Sequence, residues 1–195
     1  MLMPRFVLIL LVMICCLTVV SCNLFKTRTP AEPSQQSSNY IPPTDASLVL
    51  QNMVNAFQDR DVVNYTKSFS GTLFSFEPAT SARTRYGGEL LNWDKTKEQQ
   101  YFENVKNSLQ ANAIVTLTFT PITSTNFQDS CEIGTAYTLD VPHTKASVTK
   151  RFSGQSQFTI VRDPQIGYWY ISRWVDIGAN SSDSTWSDLK GAFAR

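Results

Sequence analysis

The sequence predicts an α+β fold in which N-terminal helices pack on a curved antiparallel sheet of about four to five strands. Two features carry that prediction. In the first half of the chain, large apolar residues recur at helical spacing; from Ile114 onward the period switches to two. The period-two segments are also long, and the turns between them are too short to hold crossover helices, so successive strands must run antiparallel.

Thr44 and Asp45 both have the side-chain chemistry of an N-cap, and Leu50, Met53, Val54 and Phe57 follow at i, i+3, i+4 and i+7. That apolar stripe stops at Asp59-Arg60-Asp61, which reads as a turn between helices. Val62, Tyr65 and Phe69 carry a short second helix up to Gly71. Leu73 to Phe76 is strand-like, Pro78 closes it, and residues 79–92 read as loop. Asp94 caps a third helix reaching about Leu109, with Tyr101, Phe102, Val105 and Leu109 on its buried side.

The sheet follows. In Ile114–Thr120, Val115, Leu117 and Phe119 share one face; Cys131, Ile133, Thr135, Tyr137 and Leu139 do the same in the next strand, where Cys131 reads as a small buried hydrophobe. Val141 to Thr144 breaks that strand. Val148, Phe152, Phe158 and Ile160 mark a third long strand, bent at Gly154, and Asp163 to Gly167 turns it into a last strand over Tyr168–Val175. The tail from Asn180 is a loop and a short helix. Thr185 and Asp188 have capping-box spacing there, and Trp186, Leu189 and Phe193 form its stripe.

Composition limits the function classes. The 195 residues suffice for one domain with an appendage, and 42% apolar content is enough to build its core. A net charge of +1 leaves no electrostatic footprint for nucleic acid, which is excluded as a partner. Residues 1–21 contain the uncharged run Phe6–Val20, short of the roughly 20 residues that cross a bilayer as a helix, so the segment reads as an export signal. Removing it removes Arg5 alone among charged residues and leaves sixteen side chains of each sign. Between residues 22 and 43, Pro30, Pro33, Pro42 and Pro43 interleave with Ser, Gln and Asn, the composition of a flexible tether. The folded domain is then 44–195.

Val19-Val20-Ser21-Cys22 resembles the bacterial lipobox. That resemblance implies that 1–21 is a lipoprotein signal peptide and that Cys22 becomes the lipidated N-terminus, carrying acyl chains such as palmitate. Two or three such chains hold a protein on a membrane without spanning it. Cys15 and Cys16 go with the signal and Cys22 is used by the lipid, so only Cys131 remains and no disulfide within the domain is possible. Asn23, rather than Asp, after the cysteine points by analogy to the outer membrane of a bacterial envelope, facing the periplasm.

The order helix, Asp-rich turn, short helix, strand, helix, then long strands over residues 45–178 resembles the NTF2-like, or SnoaL-like, superfamily, whose sheet curls into a cone. The stretch Phe57-Gln58-Asp59-Arg60-Asp61-Val62 looks like its first interhelical turn. Trp93-Asp94, Trp169 to Asp176 and Trp186 to Lys190 resemble a group of bacterial NTF2-like lipoproteins. The resemblance implies a cone whose interior Phe57, Tyr65, Phe69, Phe76, Tyr101, Phe119, Tyr137, Phe158 and Tyr170 would line. Those rings either surround a pocket for a small apolar ligand or fill the space between helices and sheet.

Enzymes of that superfamily need a carboxylate or a histidine in a dry pocket, often beside a tyrosine. The lone histidine, His143, follows Pro142 in a turn. Asp176, at a strand end beside Tyr170 or Tyr137, is the best candidate acid or base; pairing with Arg173 or capping backbone groups is its alternative role, and Asp140 sits at another strand end. Asp59 and Asp61 flank an arginine, and the body holds no Cys/His ligand set, so no metal and no cofactor is expected. The expected function is a membrane-anchored binding module for a small apolar ligand or an envelope protein. The alternative is a SnoaL-like dehydratase or isomerase.

Overall fold

The computed structural model describes residues 38–180 and 183–195. The expected export signal, Cys22 and the expected tether up to residue 37 lie outside the described residues. Residues 38–43 lie against the body: Asn52 exchanges hydrogen bonds with both backbone groups of Ile41, at 2.8 and 2.6 Å, and Pro43 O accepts from Trp169 N at 2.9 Å.

Asp45 opens α1 (Ala46–Asp59), its carboxylate accepting from Ser47 N at 2.8 Å and so satisfying one donor of the first turn. Arg60 ends the helix in the left-handed region, φ 55°. Asp61 then caps α2 (Val62–Lys67), accepting from Asn64 N at 3.0 Å. The apolar buried stripe of α1 is Ala46, Val49, Met53, Ala56 and Phe57; Leu50 and Val54 sit on its margin, partly buried.

After β1 (Ser75–Glu77), the stretch expected as loop forms α3 (Thr80–Leu90), kinked at Tyr86. Its apolar periodicity is too weak to announce a helix, and Gly87-Gly88 argues against one. Tertiary contact decides instead: Arg85 reaches Asp188 at 2.6 Å, and Tyr86 lies where a Cβ on Gly191 would stand 2.6 Å from the tyrosine Cβ. In α4 (Lys95–Ser108), Asp94 is the cap, accepting from Lys97 N at 2.9 Å.

Four long strands complete the body: β2 (Thr116–Asn126), β3 (Ser130–Asp140), β4 (Arg151–Arg162) and β5 (Trp169–Ile177). The sheet order is β1-β5-β4-β3-β2. The long strands form the antiparallel meander, while β1 adds parallel to β5, pairing Phe76 with Trp174, so the sheet is mixed. Beyond Pro121, β2 is solvent-exposed, which erases the alternation although pairing continues to Asn126. Gly154 does not break the register of β4. It makes room for its cross-strand partner, since a Cβ there would stand 2.7 Å from Tyr137 Oη.

The tail departs furthest from expectation. Helix α5 (Trp186–Ala192) carries the capping box between Thr185 and Asp188, but it is no surface helix with one buried stripe. All seven residues are buried, and the helix lies against both α3 and the sheet.

Candidate functional site

Helix α5 brings a tryptophan, a serine and a lysine into the middle of the cone, and the aromatic residues singled out in the sequence converge on them. Trp186, fully buried, meets Phe57 and Tyr137 edge-on at 5.4 and 5.3 Å, stacks with Phe119 at 6.2 Å, and crosses Trp174 at 4.7 Å. Its Nε1–H donates to Tyr101 Oη at 3.0 Å. Tyr65 stacks on Phe102, Phe69 lies between Tyr65 and Trp174, and Phe158 packs on Phe119 and Trp174. Most of the rings expected around the cone interior thus pack on one another, and three of them, with Trp174, meet Trp186.

Two polar centres are embedded in this core. At the first, Tyr137 on β3 donates to Asp176 Oδ1 on β5 at 2.7 Å, the juxtaposition expected of an acid and its partner. The other carboxylate oxygen accepts from Ser187 N at 2.7 Å and from Ser187 Oγ–H, and Tyr137 Oη accepts from Trp186 N at 2.7 Å. The first two amides of α5, which no helical carbonyl satisfies, are therefore taken up by the pair. Burial raises the Asp176 carboxyl against the lowering effect of these bonds, and burial together with the Asp176 charge pushes the Tyr137 phenol well up.

The second centre joins Glu98 of α4 to Lys190 of α5, both fully buried, at 2.6 Å. Glu98 also accepts from Trp93 Nε1 at 2.5 Å and from the Tyr65 hydroxyl. The Lys190 ammonium lies 3.6 Å from the ring centroids of both Phe76 and Trp174, a double cation–π contact. Burial lowers its pKa to about 8 even with Glu98 beside it. Sequence reasoning missed this pair. The available signal was one charged residue on each of two apolar helix stripes: Glu98 on the side of Tyr101 and Phe102, and Lys190 one turn after Trp186.

The remaining candidates fall elsewhere. Tyr170 lies six residues from Asp176 along β5, roughly 20 Å away, in a half-exposed group with Tyr40 and Tyr168, so it is no partner for that carboxylate. Asp140 faces Arg151 at 3.7 Å near the surface, and Arg173 pairs with Glu77, not Asp176. His143 does lie after β3 but is fully buried: its Nε2 contacts Thr149 O at 2.9 Å and its ring meets Phe193. Cys131 is buried, as expected, with its thiol donating to Asn126. Among the described residues, no group of three or more His, Cys, Asp or Glu is placed to hold a metal ion. Beside the filled centre, an open cleft of about 600 Å³ runs between the start of α3 and the end of β5; Pro78, Thr80, Arg83 and Ile177 stand on its walls, and the buried Asp176 is also among its lining residues.

Helices folded over this curved five-stranded sheet define the α+β cone of the NTF2-like fold. No protein-family model matches the chain, and no curated protein matches it in sequence. In architecture it is similar to a conserved protein from Planctomyces limnophilus, with TM-score 0.55 and 12% identity over 67% of this chain and 91% of the other. It is likewise similar to a protein from Novosphingobium aromaticivorans described as a candidate scytalone dehydratase, with TM-score 0.52 and 10% identity over 67% and 78%. A protein of unknown function from Mycobacterium tuberculosis aligns with TM-score 0.50 and 12% identity over 76% and 82%. Identity at that level speaks for the fold alone.

Proposed function

We propose that the chain is a lipid-anchored protein of the bacterial outer membrane, whose NTF2-like body is a non-catalytic module that binds a protein partner. The observation carrying the second half is the occupation of the cone by α5. A general base needs a lone pair aimed at substrate, whereas Asp176 is buried and three of its roughly four acceptor sites are taken by Tyr137 and Ser187. A small apolar ligand needs a void, and Trp186 stands where that void would be. A protein partner requires neither. Anchoring rests on the lipobox-like Val19 to Cys22; among the described residues, no helix is long and apolar enough to cross a membrane.

The test has two parts. Intact mass of the chain isolated from bacterial membranes should show residue 22 as its N-terminus with diacylglyceryl on sulfur, and Cys22→Ala should release the protein from the membrane fraction. Ligand-observed NMR with small phenols and naphthols should show no binding to the body. The dehydratase or isomerase reading is favoured by the buried Asp176–Tyr137 pair and requires α5 to leave; saturable phenol binding that Asp176→Asn weakens would establish it instead.

A further inference from the structure

One end of the body gathers large apolar side chains that lie wholly or partly outside the core. Ile41, Phe127 and Ile166 are 40%, 56% and 58% exposed, and Tyr40, Tyr168 and Trp169 are half-exposed beside them. Backbone bonds tie these pieces together. Trp169 N donates to Pro43 O, Asp163 N to Tyr168 O, and Arg162 N to Asp129 O, which joins the β4–β5 turn to the β2–β3 turn that carries Phe127. A shallow pocket brings Phe127 and Trp169 together over the start of α1.

This is also the end at which the chain from Cys22 arrives. Fifteen residues separate Cys22 from Ser38, the first described residue. A chain of that length and of such Pro-, Ser- and Gln-rich composition would reach about 21 Å as a coil. A body held on so short a leash meets the surface at an effective concentration in the millimolar range, where even a weak apolar contact is populated. Tyrosine and tryptophan at the rim, with aliphatic side chains projecting past them, match the chemistry of the layer between lipid headgroups and acyl chains. The charged neighbours are mixed: Asp45, Asp129 and Asp163 against Arg162, and Lys67 stacked on Tyr40. That is no polybasic patch, so apolar burial and not charge has to hold it.

We infer that this end, with Phe127 and Ile166 at its tips and Trp169 at its centre, docks on the bilayer to which Cys22 ties the chain. The inference rests on the anchoring reading above. Docked this way, the opposite face of the body points away from the membrane toward soluble partners.

Fluorescence reads the contact directly, because Trp93, Trp174 and Trp186 are buried and Trp169 alone among the described tryptophans meets solvent. The full chain, purified from bacterial membranes, would be reconstituted into phosphatidylethanolamine–phosphatidylglycerol vesicles with and without bromine on the acyl chains. Docking predicts that brominated lipid lowers the Trp169 emission about twofold, that 0.5 M salt leaves the effect in place, and that Phe127→Ser with Ile166→Ser abolishes it while the protein still floats with the vesicles. Flotation with Trp169 untouched by brominated lipid overturns the docking alone, and so does a Trp169 shielded from acrylamide but not quenched by lipid, which marks a protein on this face. Failure to float overturns the anchoring reading and the docking with it.

Discussion

Replacing Trp186 by alanine tests how tightly the tail is built into the cone. The side chain is fully buried and touches rings from α1, β2, β3 and β5. Burying a large aromatic removes 150–250 Å² from water at about 25 cal/mol per Å², and truncations of this kind cost about 3–5 kcal/mol. Loss of the indole N–H also strips the buried Tyr101 hydroxyl of a donor, adding about 1–3 kcal/mol. The total is a large fraction of the roughly 5–15 kcal/mol that holds a domain together. Urea unfolding followed by far-UV circular dichroism should show the midpoint falling with the slope unchanged. Free indole should restore part of the loss by filling the cavity. Trp186→Phe, which keeps one ring but loses the hydrogen bond and part of the indole's volume, should cost less than the alanine variant. A cost below about 1 kcal/mol for Trp186→Ala would refute the packing described here.

Three further outcomes follow from the same core. Glu98→Gln leaves the Lys190 ammonium buried without its counter-charge and should cost about 3–5 kcal/mol in urea unfolding, while adding Lys190→Met should recover most of it, since the glutamine still accepts from Trp93. The Lys190 pKa falls from 10.5 to about 8 on folding. The unfolded chain therefore binds more protons between those values, and this group makes stability rise with pH above 8. Measured against Lys190→Met, the native chain should gain stability from pH 8 to about 10, where the raised tyrosines Tyr65, Tyr101 and Tyr137 begin to act the other way. Gly191→Ala drives a Cβ into Tyr86 and should lower the stability read from urea unfolding by about 1–3 kcal/mol, with Tyr86→Ala relieving the clash in the double variant.

Much of this structure was legible in the sequence because local chemistry wrote it there. Asp45, Asp94 and the Thr185–Asp188 box cap the helices their spacing announced, Asp61, read only as part of a turn, caps α2, and the alternation in β3 survives in its buried residues. Helix α3 was not legible, since it owes its form to Arg85 and Tyr86 meeting α5 and not to any stripe of its own. The Asp176–Tyr137 contact was anticipated as a candidate acid with a tyrosine beside it. Periodicity gave no warning that the carboxylate would capture the amides of a helix added after the last strand. Seven residues buried on every side also carry no amphipathic signature, so the tail reads as a surface helix until the sheet is folded around it.

Amide hydrogen exchange at Trp186 and Ser187 tests the occupied cone most directly. Their N–H groups donate to the buried Tyr137 hydroxyl and Asp176 carboxylate, so a helix that is part of the core should release them only by global unfolding, with protection equal to the stability measured in urea. Exchange several kcal/mol easier than that, with β3 and β5 still fully protected, would show that α5 leaves while the sheet stays folded and would contradict the account of a permanently filled cone.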